Sequence, residues 1–301
     1  MKKLAVILLI IMILGFSISM ASAADYTFTT IDYPGYVQTI PWGINDSGTI
    51  IGDCSYPGYH GFTLNGGIYA TFDAPGSVLT QAFGINDSGT IVGEYATPGV
   101  YHGYSLSGGI FTTVDYPNDP LRLTELMGIN DTGTIVGWTQ RYGGFSLSGG
   151  IFTPLDPDAN TTIGFDINDS GTIVGWSQRY GGFSLSGGIF TTLNVPGALS
   201  THALGINDSG AIVGLYETPD GKEHGFTLNG GIYTTVDYPD SVFTHAHGIN
   251  DSGAIVGRYR DTSGVDHGFL ATPVPTPEPA TMLLLGLGLV GLAGVRRKIK
   301  K

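Results

Sequence analysis

Short runs of β-branched and aromatic residues alternate along the chain with clusters of Gly, Asn, Asp and Ser. Such runs predict strands and such clusters predict turns. The pattern repeats. Ile-Asn-Asp begins at Ile44, Ile85, Ile129, Ile167, Ile206 and Ile249, so six units follow one another at intervals of 38 to 44 residues. An interval near 41 residues lies in the range of a four-stranded propeller blade. Each unit contains four predicted strands. One reads His-Gly-Phe-Thr-Leu, as at residues 60–64 and 224–228, and a Gly-Gly turn links it to a second, such as residues 232–237. After a variable loop a third strand ends in Gly-Ile-Asn-Asp, and an Asn-Asp-Ser-Gly turn leads to a fourth, Thr-Ile-Val-Gly. Tight turns of this kind join antiparallel neighbours, which argues against a parallel solenoid.

The phase of the repeat predicts its closure. The region opens on a second-type strand at residues 26–33 that lacks its Gly-Gly-linked partner, and it ends on an unpaired first-type strand at residues 267–270. In a ring the two orphans complete one blade. In an open array they would leave two bare edges, which invite aggregation. The expected fold is therefore all-β: a six-bladed β-propeller of ~41-residue four-stranded repeats, closed by N- and C-terminal strands sharing a blade. Open repeat arrays and stacked sandwiches are the alternatives. Residues 129–153 and 167–191 differ at only 2 of 25 positions, the mark of a recent duplication.

Composition narrows the function. Among 301 residues there are 48 glycines and only 13% charged residues, yet 11% aromatics, which gives enough apolar surface to bury. Seven of the 13 basic residues sit at the two ends. With Glu278 also set aside, six basic residues face 24 acidic ones in the middle. Phosphate binding needs the opposite sign, so a nucleic-acid partner is excluded. The single cysteine, Cys54, excludes an internal disulfide framework and a CxxC metal site.

The ends read as addresses. Lys2 and Lys3 precede an uncharged run from Leu4 to Phe16, and Ala21-Ser22-Ala23 supplies a small-x-small cleavage site. Residues 1–23 therefore read as a signal peptide cut by signal peptidase between Ala23 and Ala24; an uncleaved anchor is the alternative. Residues 24–271 form the repeat domain, and residues 272–279 a proline-stiffened spacer. Residues 280–295 give about 24 Å of helix, slightly short of a hydrocarbon core of ~30 Å. The basic tail at 296–301 places the C-terminus in the cytoplasm and the repeats outside. A buried core helix is the alternative for 280–295.

Pro277-Glu278-Pro279, an apolar stretch and a terminal Arg-rich cluster resemble the PEP-CTERM sorting signal recognised by exosortases. The resemblance implies processing near Pro277, Glu278 and Pro279, and release or attachment at the surface of a Gram-negative bacterium, often one making exopolysaccharide. The repeat is also similar to the HAF extracellular repeats. His-Gly-Phe at His60, His224 and His267, His-Gly-Tyr at His102 and Gly-Gly-Phe at Gly143 and Gly181 occupy the naming tripeptide, and Gly-Ile-Asn-Asp-x-Gly-x-Ile-Val-Gly fits better. That resemblance implies an extracellular location and no particular activity.

Symmetry separates scaffold from candidate chemistry, because a residue in every repeat builds the repeat. Asp46, Asp87, Asp131, Asp169, Asp208 and Asp251 are on that ground structural, bonding the backbone of their turns. The ligand density of a calcium loop is missing around them. His60, His102, His224 and His267 recur in equivalent places and are assigned to packing or hydrogen bonding, so no metal or cofactor is expected. Residues that break the pattern include Glu125, which aligns with Ile40, Gln81, Ile163, His202 and His245. Another is His247, which falls in a core slot filled elsewhere by Trp42, Phe83, Met127, Phe165 and Leu204. Trp138 and Trp176 align with Asp53, Glu94 and Arg258 and are expected to be exposed.

With the Gly-Gly and Asn-Asp-Ser-Gly turns at one end, the variable connections gather at the other, where binding residues concentrate. Trp138, Arg141, Trp176 and Arg179 are the candidate ligand-binding residues there, suited to stacking on sugar rings or on a protein partner. No nucleophile elbow, HExxH or phosphate loop is present, so no catalytic residue is assigned. The sequence thus predicts an exported, non-enzymatic binding or structural module, with exopolysaccharide or a surface protein as partner. The alternative is a glycan-active hydrolase or lyase working with paired carboxylates.

Overall fold

The computed structural model describes residues 26–56, 58–119, 123–157 and 161–275. Twenty-four strands follow in chain order, and the described residues contain no helix long and apolar enough to cross a membrane. The first, β1 (Tyr26–Ile31), stands apart. Blade one holds β2 (Gln38–Ile44), β3 (Ile50–Ser55), β4 (Tyr59–Asn65) and β5 (Ile68–Phe72). Blade two holds β6 (Leu79–Ile85), β7 (Ile91–Thr97), β8 (Val100–Ser107) and β9 (Ile110–Thr113). In blade three these places are taken by β10 (Thr124–Ile129), β11 (Ile135–Thr139), β12 (Gly143–Ser148) and β13 (Ile151–Pro154). Blade four comprises β14 (Thr162–Ile167), β15 (Ile173–Ser177), β16 (Gly181–Ser186) and β17 (Ile189–Leu193). Blade five comprises β18 (Ser200–Ile206), β19 (Ile212–Glu217), β20 (Glu223–Asn229) and β21 (Ile232–Thr235). The chain ends its circuit with β22 (Phe243–Ile249), β23 (Ile255–Arg260) and β24 (Asp266–Pro273).

Each blade is a four-stranded antiparallel sheet, and the sixth has the order β22-β23-β24-β1. The two orphan strands therefore meet as expected, with Phe28 opposite Ala271 and Ile31 opposite Gly268. The propeller is closed by its own first strand. Nothing in the described residues reaches Ala23, Ala24, Pro277, Glu278 or Pro279, and the leader, spacer, apolar segment and basic tail lie outside them.

Local chemistry accounts for the blades. Gly108 and Gly109 take φ of 55° and 80° in the β8–β9 turn, a left-handed pair that matches the twist of a tight hairpin. Equivalent glycine pairs serve blades one, three, four and five. The second strand of each blade carries Ile-Val-Gly, or Ile-Ile-Gly in blade one, and its middle side chain is inserted into the next blade. Ile51, Val92, Val136, Val174, Val213 and Val256 are all fully buried. Val92, for example, packs with Leu126, Ile129, Ile135 and Phe145 of blade three. The core thus lies between blades, and each blade is stable only with neighbours. The glycine that follows has a packing role: a Cβ on Gly93 would overlap the Gln81 carbonyl and meet the Tyr104 ring.

Two circles of hydrogen bonds tie the inner strands together. Asn45 Nδ2 donates to Asn86 O, Asn86 to Asn130 O, Asn130 to Asn168 O, Asn168 to Asn207 O, Asn207 to Asn250 O and Asn250 back to Asn45 O. The six aspartates do not cap their own turns, as the sequence led us to expect. Each accepts from the neighbouring turn instead, from Asp46 N to Asp87 Oδ1 round to Asp251 N to Asp46 Oδ1. The own-turn role falls to asparagine, whose Oδ1 takes Thr49 N in blade one at 2.9 Å. The turns are close enough round the axis for a short carboxylate to reach across, a distance that only ring closure creates.

Candidate functional site

The two ends of the propeller differ. At the end of the tight turns, every blade repeats the same Ile-Asn-Asp residues around an axial hollow of about 90 Å³. Asp166 breaks that pattern, standing where other blades have Gly43, Gly84, Gly128, Gly205 and Gly248. It accepts from Ile167 N and from Ile206 N of the next blade. Burial still pushes its carboxyl up to about 7. The expected core slot is in fact axial. A register shift in every inner strand falls at Trp42, Phe83, Met127, Phe165, Leu204 and His247. These six residues line a narrow cavity of about 40 Å³ inside the ring. They plug the axis. His247 Nδ1 donates to Pro41 O at 2.8 Å, and its ring stacks on Trp42 at 4.2 Å, joining blade six to blade one.

Beyond the plug, toward the variable connections, the two columns in which the repeats disagree come together. In each blade the first column lies directly opposite the second across the inner strand pair. Ile40 faces Asp53, Gln81 faces Glu94, Glu125 faces Trp138, Ile163 faces Trp176, His202 faces Leu215 and His245 faces Arg258. Blade after blade, this gives a ring of pattern-breaking side chains. Its acids fall on blades one to three, its indoles on blades three and four, and its histidines and arginine on blades five and six.

Two acids of this arc are buried and Glu125 is half-buried. Asp53 is 3% exposed and Glu94 7%. Trp42 Nε1 donates to Asp53 Oδ1, and Gln81 also bonds this carboxylate. Burial nevertheless pushes Asp53 up to about 6, although Trp42, Gln81 and Arg258 favour its charge. Glu94 rises further, to about 8, through burial first and then through the nearby charges of Glu125 and Asp53. Glu125 is pushed up to about 7 by burial. Glu94 Oε2 and Trp138 Nε1 are buried without a hydrogen-bond partner. An acid pair that holds a proton near neutrality, beside an unused donor and an unused acceptor, has the chemistry to bind a polar ligand or to donate a proton.

The opposite arc is neutral imidazole held by charged neighbours. His245 Nε2 donates to Glu223 at 2.8 Å, while its Nδ1 accepts from Arg258 Nε at 3.2 Å. Burial lowers His202, His245 and His247 below the ordinary histidine range. Trp176 stacks on His202 of the following blade with ring centroids 5.3 Å apart.

The candidate residues from the sequence divide. Trp138 and Trp176 belong to the ring, but they are half-buried rather than exposed. The reason is that their position shares a strand face with Val136 and Val174, which enter the next blade. Arg141 and Arg179 are exposed on the turns after β11 and β15. Arg141 lies over Tyr142 at 5.7 Å and Arg179 over Tyr180 at 5.2 Å. The recurring histidines hydrogen-bond through Nδ1 to aspartates. His60 meets Asp73, His102 meets Asp115, His224 meets Asp237, and His267 meets Asp32 across the closure. No group of metal-binding side chains forms among the described residues. Cys54 is buried, with its thiol pushed up to about 12 by that burial, which leaves it a packing residue.

Comparison with known proteins follows the same division between address and scaffold. Residues 275–298 match the PEP-CTERM protein-sorting motif. No curated protein matches the chain in sequence. Among solved structures, a streptogramin B lyase is 12% identical, with TM-score 0.51 over 83% of this chain and 99% of its own. A putative TolB from Agrobacterium tumefaciens is 13% identical, with TM-score 0.53 over 83% of this chain and 91% of its own. Virginiamycin B lyase from Staphylococcus aureus is 12% identical, with TM-score 0.51 over 83% and 100% of the two chains. At these identities the likeness is one of fold. The chain is a six-bladed propeller followed by a PEP-CTERM sorting motif.

Proposed function

We propose that this protein is an exported binding module, sorted by an exosortase-type system, that holds a ligand at the variable-loop mouth of its axis. One observation carries the reading. Apart from Asp166, every repeat spends the same residues on closing the tight-turn end, while beyond the plug two columns of residues that differ between repeats gather in one ring at the other. A ring whose acids, indoles and imidazoles fall on different blades of a symmetric scaffold is what recognition of one unsymmetrical ligand requires. The half-buried indoles of Trp138 and Trp176 offer flat apolar faces, and the acids and imidazoles offer hydrogen bonds. That combination suits a sugar of a surface glycan such as an exopolysaccharide. The similarity of the repeat to the HAF extracellular repeats supports the same location.

Glycan arrays with residues 24–275 test the proposal. Saturable binding that Glu125→Gln and Trp176→Ala weaken about tenfold or more, a loss of ~1.4 kcal/mol or more, supports it. Binding that both variants leave unchanged refutes the ring as the site. A second reading, a glycan-active hydrolase or lyase, rests on Glu94 and Glu125, whose neighbouring carboxyls are raised to about 8 and 7. Shortened or unsaturated oligosaccharides appearing with the native chain but not with Glu94→Gln would favour it over simple binding.

A further inference from the structure

The tight-turn end carries a second feature that the ligand site does not use. The first residue after each Gly-Gly turn is isoleucine: Ile68, Ile110, Ile151, Ile189 and Ile232. All five are exposed, between 54% and 75%. They head the outermost strands β5, β9, β13, β17 and β21 at equivalent positions, so the propeller symmetry sets them on one rim around the axis. In blade six the equivalent place on β1 is Thr27, opposite Thr272 as Ile68 is opposite Asn65. Inside this rim stand the six exposed carboxylates of the aspartate circle.

The same end is where the chain enters and leaves the propeller. The strand β24 runs from the variable loops toward the tight turns, and its last residue, Pro273, pairs with Tyr26 at the start of β1. The sorting motif begins at residue 275, two positions further on. Exposed aliphatics also occur at the opposite end, at Val37, Val78, Leu199 and Val242. Exposure alone therefore does not choose between the ends. The exit of the chain does.

We propose that the tight-turn end lies against a phospholipid surface, with the isoleucine rim in the headgroup layer and the aspartate circle facing ammonium headgroups. This rests on the reading that the sorting segment holds the chain at a membrane. Isolated aliphatic side chains bind a bilayer weakly, but a tether only a few residues long raises the effective concentration enough to seat them. The charge selects the surface. Six carboxylates repel anionic lipid and favour zwitterionic phosphatidylethanolamine. They also disfavour two copies meeting end to end, which would set two acid circles face to face. The geometry then turns the variable mouth away from the membrane, toward whatever it binds.

The test supplies the tether, so that it examines the surface and not the sorting. Residues 24–275 with a C-terminal hexahistidine are held on phosphatidylcholine–phosphatidylethanolamine vesicles that contain nickel-chelating and brominated lipids. A bimane label is placed at Ser107→Cys beside the β8–β9 turn or at Val78→Cys on the other end, the buried Cys54 remaining unlabelled. The label at 107 should lose about half its emission and the label at 78 almost none, as expected for shallow insertion. Changing all five isoleucines to threonine should abolish the quenching, and Ile68→Thr with Ile110→Thr should reduce it. Threonine at Val37, Val78, Leu199 and Val242 should leave it unaltered, and added phosphatidylglycerol should weaken it. Equal quenching at both labels, none at 107, or quenching that survives in the folded five-threonine variant overturns the proposal. Failure of the tether reading shows separately, as a full-length chain that stays soluble in cell fractions.

Discussion

Glu94 and His247 pull the stability of the propeller in opposite directions as pH changes. A Glu94 carboxyl raised to about 8 holds its proton in the folded chain after the unfolded chain has lost it near 4.5. Its contribution is complete below about pH 4.5 and is lost as pH rises through 8. Burial lowers His247, so the unfolded chain takes up a proton near pH 6.5 while the folded chain does not. Its contribution is complete above that pH and is lost as pH falls. Glu94→Gln should therefore flatten the alkaline limb of a melting-temperature profile, gaining about 2–4 °C at pH 8 for each kcal/mol recovered. His247→Phe, the residue that blades two and four use in that slot, should flatten the acid limb. Parallel profiles for native and variant chains would show that these two groups do not set the pH range.

The circles of Asn and Asp make a second contrast at this scale. Asn86 satisfies Asn130 O, Ser88 Oγ and Thr90 N at once. Asn86→Ala should cost about 1–3 kcal/mol in a urea unfolding curve. Asp87→Asn keeps an oxygen for Asp46 N and removes one charge from the circle, so its cost should stay within about 0.5 kcal/mol. Equal losses would mean that the carboxylate charge, rather than its acceptor oxygen, joins the turns.

At the scale of elements, β1 matters out of proportion to its six residues. It covers the edge of β24 and supplies Phe28, which packs on Phe269 and Tyr238 with centroids 5.7 and 5.4 Å apart. Removing residues 26–31 should open the ring and bare a strand edge. Size-exclusion chromatography with light scattering should then show dimers or larger species. A stable monomer with native unfolding cooperativity would show that closure is dispensable. Gly93→Ala tests the inner strand pair, because its added carbon meets the Gln81 carbonyl and the backbone there cannot retreat without disturbing the plug. A loss of about 2–3 kcal/mol is expected, as for overpacking in a closed interior.

For the whole molecule, address and scaffold are separable. Deleting residues 275–298 removes the sorting motif and leaves all the described strands in place. The shortened chain should fold and bind as the native one does, yet fail to reach its normal location in fractionated cells. Unchanged location would overturn the role of the motif.

The repeat length, the strand order within a blade and the pairing of the first strand with the last follow from local signals. Strand alternation, Gly-Gly and Asn-Asp-Ser-Gly turns and the phase of six units are all written within short windows, where backbone sterics and hydrogen bonding decide the outcome. The two columns of disagreeing residues were also visible, Glu125 and the Trp138 position among them. What stayed hidden was that the columns face one another and form a single ring. That depends on cross-strand register, on the shift at Trp42 and its equivalents, and on the angle at which neighbouring blades meet. The same dependence explains why the aspartates serve the next turn and why Trp138 is half-buried. Each of these results from side chains of different blades being brought within reach, and only packing around a closed axis sets those distances.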